Sequence, residues 1–491
     1  KSCYKNGLSK AKHYYPTVSF EEKMKDILHI ILISIIGLTI ISCKSSDDDA
    51  SSDDSSLTTL ATLTYQDLSD DFDPSTGKGA YLYLATGDLN NDQKEDVVFG
   101  HFFLGSEGDL NISSKLGFFI NSGGSFATNT DLFESIPVRV KPRYGLIADY
   151  NDDEKNDLFV ACQGWDNVES AGEQNILMLS TTDNKLSDVS TTSLPVQNDN
   201  SHGAAHGDID KDGDLDIFVI NSYGGGTIDS YFLINDGNGT FTMDNSTTRI
   251  SQSLIAHYNV TSGTNAAYVY AHFYDVNQDG AVDLILSSHP PRGNAADFTG
   301  VFYSRIVLND GSGHFLENNV IEFSEGIFGT ETISYGAWPF DLNQDNKIDF
   351  VIAQAKDLPP HRGLYLQVHL NQGNNTFTEA TADWIPNQDF YADQDFSFPD
   401  RVFFKDFNGD GNNDIIVGSY GSVAISGDNK PSVIFVNDGT GKMTGIKGTS
   451  FYSGSDWLDT LVPSDFNGDG KLDLLGINPK EGGYNLVQIP L

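Results

Sequence analysis

Asp406-Phe407-Asn408-Gly409-Asp410-Gly411-Asn412-Asn413-Asp414 is the stretch on which the fold turns, because its pattern recurs along the chain. The form Asp-x-Asn/Asp-x-Asp-x-x-x-Asp occurs in seven copies, opening at Asp88, Asp149, Asp208, Asp275, Asp341, Asp406 and Asp465. Successive copies begin 59 to 67 residues apart, so the chain reads as an array of one repeated unit.

The chemistry of the pattern is that of a cation loop. A hard divalent ion takes about six to eight oxygens at roughly 2.3–2.6 Å. A tight loop turns alternate side chains toward one point, and position seven adds a backbone carbonyl. The first loop then offers Asp88, Asn90, Asp92, Lys94 (carbonyl) and Asp96, and the second Asp149, Asn151, Asp153, Lys155 and Asp157. The third offers Asp208, Asp210, Asp212, Asp214 and Asp216, and the fourth Asp275, Asn277, Asp279, Ala281 and Asp283. The fifth has Asp341, Asn343, Asp345, Lys347 and Asp349, and the sixth Asp406, Asn408, Asp410, Asn412 and Asp414. The seventh has Asp465, Asn467, Asp469, Lys471 and Asp473. Up to seven structural calcium ions (Ca2+) are expected. Position six calls for left-handed backbone, which Gly213, Gly280, Gly411 and Gly470 adopt freely. Gln93, Glu154 and Asn346 stand there in the other loops, and loops one and two are expected to bind most weakly.

An EF-hand shares the opening residues but closes with a bidentate Glu at position twelve, between helices. Position twelve here is Phe99, Val160, Val219, Leu286, Ile352, Val417 or Gly476, and β-type runs such as Asp216-Ile217-Phe218-Val219-Ile220 follow the loops. A second motif lies downstream of most loops, as in Leu233-Ile234-Asn235-Asp236-Gly237 and Val436-Asn437-Asp438-Gly439. Asp-Gly between apolar runs signals a tight hairpin. Each unit therefore reads strand, loop, strand, long connection, strand, hairpin, strand. The predicted fold is all-β: a seven-bladed β-propeller of four-stranded antiparallel blades with a calcium loop in each. The early strand around Leu63-Thr64-Tyr65 is expected to complete the last blade and close the ring.

These loops and hairpins resemble the FG-GAP and VCBS repeat family, whose blades also build the integrin α-subunit headpiece. The resemblance covers about 435 residues, 57–491, and implies calcium ligation through the loop side chains. The Phe-Gly…Gly-Ala-Pro element of integrins is not evident, so integrin-like ligand recognition does not carry over. The family includes adhesins, lectins, surface-binding proteins and some polysaccharide lyases, and fold alone does not choose among them.

The N-terminal stretch reads as an address. Residues 1–23 look like an upstream extension outside the native chain. Residues 24–42 read as a lipoprotein signal peptide: Met24-Lys25, an apolar run over 27–41, then Ile40-Ile41-Ser42-Cys43. Cys43 is the expected lipidation site, and the Ser/Asp-rich stretch 43–56 a tether. The expected location is the outer membrane, lipid-anchored and exposed at the cell surface; a periplasm-facing orientation is the alternative. Cys162, within an apolar run, is read as a buried small hydrophobe. A net charge of −40 leaves no cationic surplus for phosphates, which excludes nucleic acid as a partner.

Candidate ligand contacts sit opposite the loops. Arg143, Tyr144, His202, Tyr335 and Arg401 fall five or six residues before a loop's first aspartate, and are expected to ring the mouth of a central channel. Long connections add Trp165, then His289 and Arg292, then His361 and Arg362. His, Arg, Tyr and Trp around a concavity suit a glycan, especially an acidic one. The reading is a non-catalytic surface protein that binds a glycan or protein partner. The alternative is a polysaccharide lyase, with His202 or Tyr335 as base and Arg143 and Arg401 stabilising the developing charge. A structural or adhesive module within a larger envelope complex is a third possibility.

Overall fold

The computed structural model describes residues 64–66, 78–105, 108–110, 113–127, 130–164, 172–221, 228–255, 267–289, 303–329, 332–356, 362–386, 399–419, 433–447, 461–478 and 483–488. The chain divides into two compact units, Lys1–Leu57 and Thr58–Leu491. The signal segment, Cys43 and the tether lie outside the described residues. Among the described residues no helix is long and apolar enough to cross a membrane.

The repeat around the third loop shows how local sequence becomes a sheet. Strand β13 (Ser201–Gly207) runs into Asp208, the loop reverses the chain, and β14 (Asp216–Asn221) returns antiparallel. After a connection, β15 (Tyr231–Asn235) and β16 (Phe241–Asp244) form a hairpin through Asp236-Gly237, with Gly237 at a φ of 75°. Strand β14 is apolar without alternation because both of its faces are covered. Ile217 and Val219 pack with Phe159 and Leu177 of the preceding repeat. Phe218 and Ile220 pack with Tyr268 and Leu284 of the following one. Each such buried Phe or Ile contributes roughly 1.5–3 kcal/mol.

The strand that runs into each loop is innermost. β2 (Lys78–Gly87), β9 (Pro142–Ala148), β13, β17 (Ala267–Tyr274), β21 (Thr332–Phe340) and β25 (Pro399–Lys405) lie side by side in that order. This is the arrangement of a β-propeller. Its ring closes as the early strand predicted. β1 (Thr64–Gln66) pairs with β31 (Gly483–Gln488), in a sheet ordered β1-β31-β30-β29 with β30 (Asp473–Asn478) and β29 (Leu461–Ser464).

The blade count departs from the expectation of seven four-stranded blades. The propeller has six four-stranded blades, not seven, and the first-loop segment forms a five-stranded sheet instead. The cause is the length of β3 (Asp96–Gly105). Only Val97 to Phe99 pair with the third strand β6 (Gly117–Asn121), which leaves the backbone beyond without a ladder on that side. An extra strand, β4 (Gly108–Leu110), folds back and pairs Phe103 with Leu110 and Gly105 with Gly108. Backbone N–H and C=O groups that leave one ladder need another partner. β5 (Ser114–Lys115) leaves this sheet and pairs with β8 (Val138–Arg139).

Candidate metal loops and channel residues

The seven loops share one hydrogen-bond scheme. The first aspartate accepts from the N–H of position five through Oδ1 and of position six through Oδ2. At Asp406 the donors are Asp410 (3.1 Å) and Gly411 (2.8 Å), and at Asp88 they are Asp92 (3.0 Å) and Gln93 (2.7 Å). The aspartate at position five accepts in turn from the N–H of position seven, as Asp469 does from Lys471 at 2.9 Å. A carboxylate has about four acceptor sites, so these bonds set the loop's shape and leave lone pairs for a cation.

Left-handed backbone occurs at two positions, not only at position six. Gln93, Glu154 and Asn346 have φ of 67°, 64° and 64° at position six. Position four is left-handed too: Asn91, Asp152, Lys211, Gln278 and Gln344 lie between 58° and 64°, while loops six and seven have Gly409 and Gly468 there. Loops one, two and five therefore hold two non-glycine residues each in this region, at roughly 1 kcal/mol apiece. The second position was not foreseen from the sequence, since polar residues occupy it in five loops.

Position nine does more than close a ligand shell. Asp96, Asp157, Asp283, Asp349 and Asp414 are fully buried. Each accepts through Oδ2 from the N–H of position two, as from Leu89 (2.9 Å) and Phe407 (2.8 Å). Each accepts through Oδ1 from the residue that opens the distal hairpin: Asn121, Ser180, Asn309, Asn371 and Asn437 respectively, at 2.7–2.9 Å. Burial pushes Asp96, Asp157, Asp283, Asp349 and Asp473 up to about 6 and Asp216 to about 7, against the opposing pull of these donors.

The hairpin asparagine also reaches the neighbouring repeat. Asn121, Asn235 and Asn309 donate through Nδ2 to the carbonyls of Phe466 (2.7 Å), Tyr150 (2.8 Å) and Ile209 (2.8 Å), each at position two of the preceding loop. Asn156 links loop two to the Asp88 carbonyl at 2.8 Å. In the sequence these asparagines read only as turn residues. Their recurrence just before Asp-Gly or Ser-Gly was the available signal.

The third loop has the densest acidity. Carboxylate oxygens of Asp208, Asp210 and Asp212 lie within 4.8 Å of one another. Asp210 Oδ1 is shielded from solvent and has no hydrogen-bond donor, as is Asp473 Oδ1 in the seventh loop. Burial and then Asp212 raise the Asp210 carboxyl above its usual range, and Arg249, 3.9 Å away, offsets this in part. A donor-poor, oxygen-rich cluster of this kind fits a hard cation. In loops one and five the position-seven lysine folds back instead, Lys94 onto Asp92 (3.0 Å) and Lys347 onto Asp345 (2.6 Å).

At the channel, the structure brings Arg401 and Tyr144 together. The Arg401 guanidinium lies 4.4 Å from the Tyr144 ring centre, 5.6 Å from Tyr83 and 5.7 Å from Tyr270, a cation–π cluster drawing on four sheets. Arg401 is 6% exposed. Burial pushes the Tyr83 phenol up to about 12, and burial, followed by the Arg401 charge, holds His272 down at about 4. His202 is buried with Nδ1 3.3 Å from the Asn200 carbonyl, Tyr335 is buried, and Arg143 is half-buried. Trp165, Arg292 and His361 lie outside the described residues. His289 and Arg362 stand at the ends of strands, and their side chains lie outside the described residues.

Comparison with known proteins agrees with this architecture. A search of curated proteins returns no match. Among solved structures, an Agrocybe aegerita lectin, described by its specific recognition of non-reducing terminal N-acetylglucosamine, aligns over 78% of this chain and 84% of its own, at 16% identity and a TM-score of 0.43. That similarity is too distant to bear on a ligand. The family model of the FG-GAP-like repeat matches residues 149–219, 208–286, 341–417 and 406–476, more than half of the chain. With its recurrent aspartate loops and propeller sheets, the chain belongs to the FG-GAP-like repeat family.

Proposed function

We propose that this protein is a calcium-stabilised β-propeller that binds a glycan or a protein partner, held at the outer membrane surface by lipid on Cys43. The calcium part is carried by the third loop, where Asp208, Asp210 and Asp212 converge and Asp210 Oδ1 is shielded without a donor. Calcium there would be held by Asp208, Asp210, Asp212 and Asp216 with the Asp214 carbonyl, and would neutralise charges that otherwise repel one another. Binding is favoured over a lyase reaction by the burial of His202, Tyr335 and Arg401, since a polymer must reach its base and its charge stabiliser. The lipid anchor is supported by Ile40-Ile41-Ser42-Cys43 alone.

The test is calcium titration of the full chain by calorimetry, with thermal unfolding before and after chelation. Calcium at about 100 times its dissociation constant stabilises by about 2.7 kcal/mol per site, so chelation is expected to lower the melting temperature by several degrees. No calcium uptake together with an unchanged melting temperature refutes the calcium reading. Accumulation of unsaturated sugar product from a uronate polymer refutes the non-catalytic one. Palmitate labelling that persists in Cys43→Ala refutes the anchor.

A further inference from the structure

We propose that Asn408 and Asn467 are sites of spontaneous deamidation, promoted by the loops that hold them and shielded when those loops are filled by calcium. The shielding rests on the calcium reading above; the chemistry does not. Asparagine stands at position three in every loop but the third, and only loops six and seven follow it with glycine, in Asn408-Gly409 and Asn467-Gly468. In deamidation the residue after the asparagine supplies the attacking nitrogen, and a side chain there obstructs the attack. Asn91, Asp152, Gln278 and Gln344 stand in that place in loops one, two, four and five. Glycine at position four accepts the left-handed backbone, with φ of 73° at Gly409 and 74° at Gly468, but leaves its amide nitrogen bare.

These two loops also set a base on that nitrogen. The Gly409 N–H donates to Asp406 Oδ1 at 2.7 Å, and the Gly468 N–H to Asp465 Oδ1 at 2.8 Å. Among the described residues, no other first aspartate of a loop accepts from position four. A carboxylate on the nucleophile's proton is placed as a general base. Asn408 is exposed and Asn467 half-buried, so water, the only co-reactant, reaches both. Gly409 N bonds to Asn408 Cγ, its proton passes by way of Asp406 to Nδ2, and Nδ2 leaves as ammonia, closing a five-membered succinimide. Water then opens the ring. Opening at the side-chain carbonyl gives aspartate, and opening at the main-chain carbonyl gives isoaspartate, with an added carbon in the backbone. Asn408 Oδ1 accepts from the Asp410 N–H at 3.0 Å and Asn467 Oδ1 from the Asp469 N–H at 2.8 Å, so isoaspartate at either position breaks the loop's own bonds. With calcium bound, the asparagine oxygen and the first aspartate are engaged as ligands. The side chain then cannot turn toward the nitrogen, and the base is withdrawn. Each loop therefore records time spent without calcium, irreversibly.

The experiment ages the full chain at neutral pH, with calcium or with chelator, and reads conversion at each asparagine by peptide mass spectrometry in heavy-oxygen water. Calcium uptake is measured in parallel by calorimetry. In chelator, Asn408 and Asn467 are expected to convert at least about tenfold faster than Asn277 and Asn343, which hold the same position before glutamine. Calcium is expected to slow both, while leaving unchanged the conversion of Asn238, which precedes Gly239 on an exposed hairpin turn outside the loops. Asp406→Asn and Gly409→Ala, aged in chelator, should each slow Asn408 and spare Asn467. Should either variant fold poorly, the contrast between Asn408 and Asn343 in the native protein decides the matter. Asn408 and Asn467 converting no faster than Asn277 and Asn343 overturns the proposal. Conversion of Asn408 at the native rate in Asp406→Asn overturns the base. Calcium uptake without slower conversion overturns the shielding and leaves the calcium reading standing. No calcium uptake overturns that reading, and the chelator arm still decides the deamidation.

Discussion

Replacing Asn235 by alanine is expected to cost about 3 kcal/mol, although the side chain touches no candidate cation. Asn235 is buried and joins two repeats. Its Nδ2 donates to the carbonyls of Tyr150 (2.8 Å) and Leu215 (3.2 Å), and its Oδ1 accepts from the Gly237 N–H (3.2 Å). The backbone N–H that holds Asp216 at 2.9 Å is unaffected by the substitution. A net hydrogen bond is worth about 1 kcal/mol, and a buried acceptor left unpaired costs about 1–3 kcal/mol. Tyr150 is 1% exposed, so water cannot readily replace the lost donor at its carbonyl. Guanidinium unfolding followed by circular dichroism, in saturating calcium, measures the loss as a shift of the midpoint. Asn238→Ala is the control. Asn238 is on the same hairpin and donates to Asp236 at 3.1 Å in an exposed setting, so its loss should stay within about 0.5 kcal/mol. Asn235→Asp keeps the shape but sets a carboxylate against two carbonyls, and should be no more stable than the alanine variant. If Asn235→Ala unfolds with the native midpoint, the inter-repeat clamp has no energetic role and the reasoning fails.

Three further outcomes follow from particular residues. Glu154→Gly should stabilise by about 1 kcal/mol, because glycine accepts the φ of 64° there without a β-carbon; an unchanged midpoint refutes the strain. Burial holds the His369 imidazole down at about 4 from its ordinary 6.5, so its contribution is complete above pH 6.5 and is lost as pH falls toward 4. That loss is on the order of 3 kcal/mol, and His369→Phe should flatten the acid limb of the stability curve relative to the native protein; an unaltered slope counts against it. Burial raises the Cys162 thiol far above its usual range, so a thiol reagent should label it only after denaturation, and labelling of the native protein contradicts the packing.

Much of the fold was legible because its determinants are local. The first aspartate of each loop and its donors lie within five residues of one another, and Asp-Gly closes a hairpin on its own. The extra strand β4 was not legible. It depends on how far β3 continues past its partner, which no local pattern states. Of the channel candidates, Arg401 and Tyr144 do meet, with Tyr83 and Tyr270, because equal spacing from each loop puts them at one level. That the cluster is packed and largely buried could not be read from spacing. The hairpin asparagines were visible as turn residues, while their bonds to the preceding repeat needed two sheets placed side by side.

By itself the sequence determined the repeat, the order of strands within it, the loop turns and the strand that closes the ring, since each follows from backbone preference and apolar runs over a few residues. The tertiary structure alone decided the six four-stranded blades with their five-stranded companion, the cation–π cluster and the inter-repeat clamps. Those features arise where residues some sixty positions apart are brought face to face, and the fit between two such surfaces is a property of the pair, not of either segment.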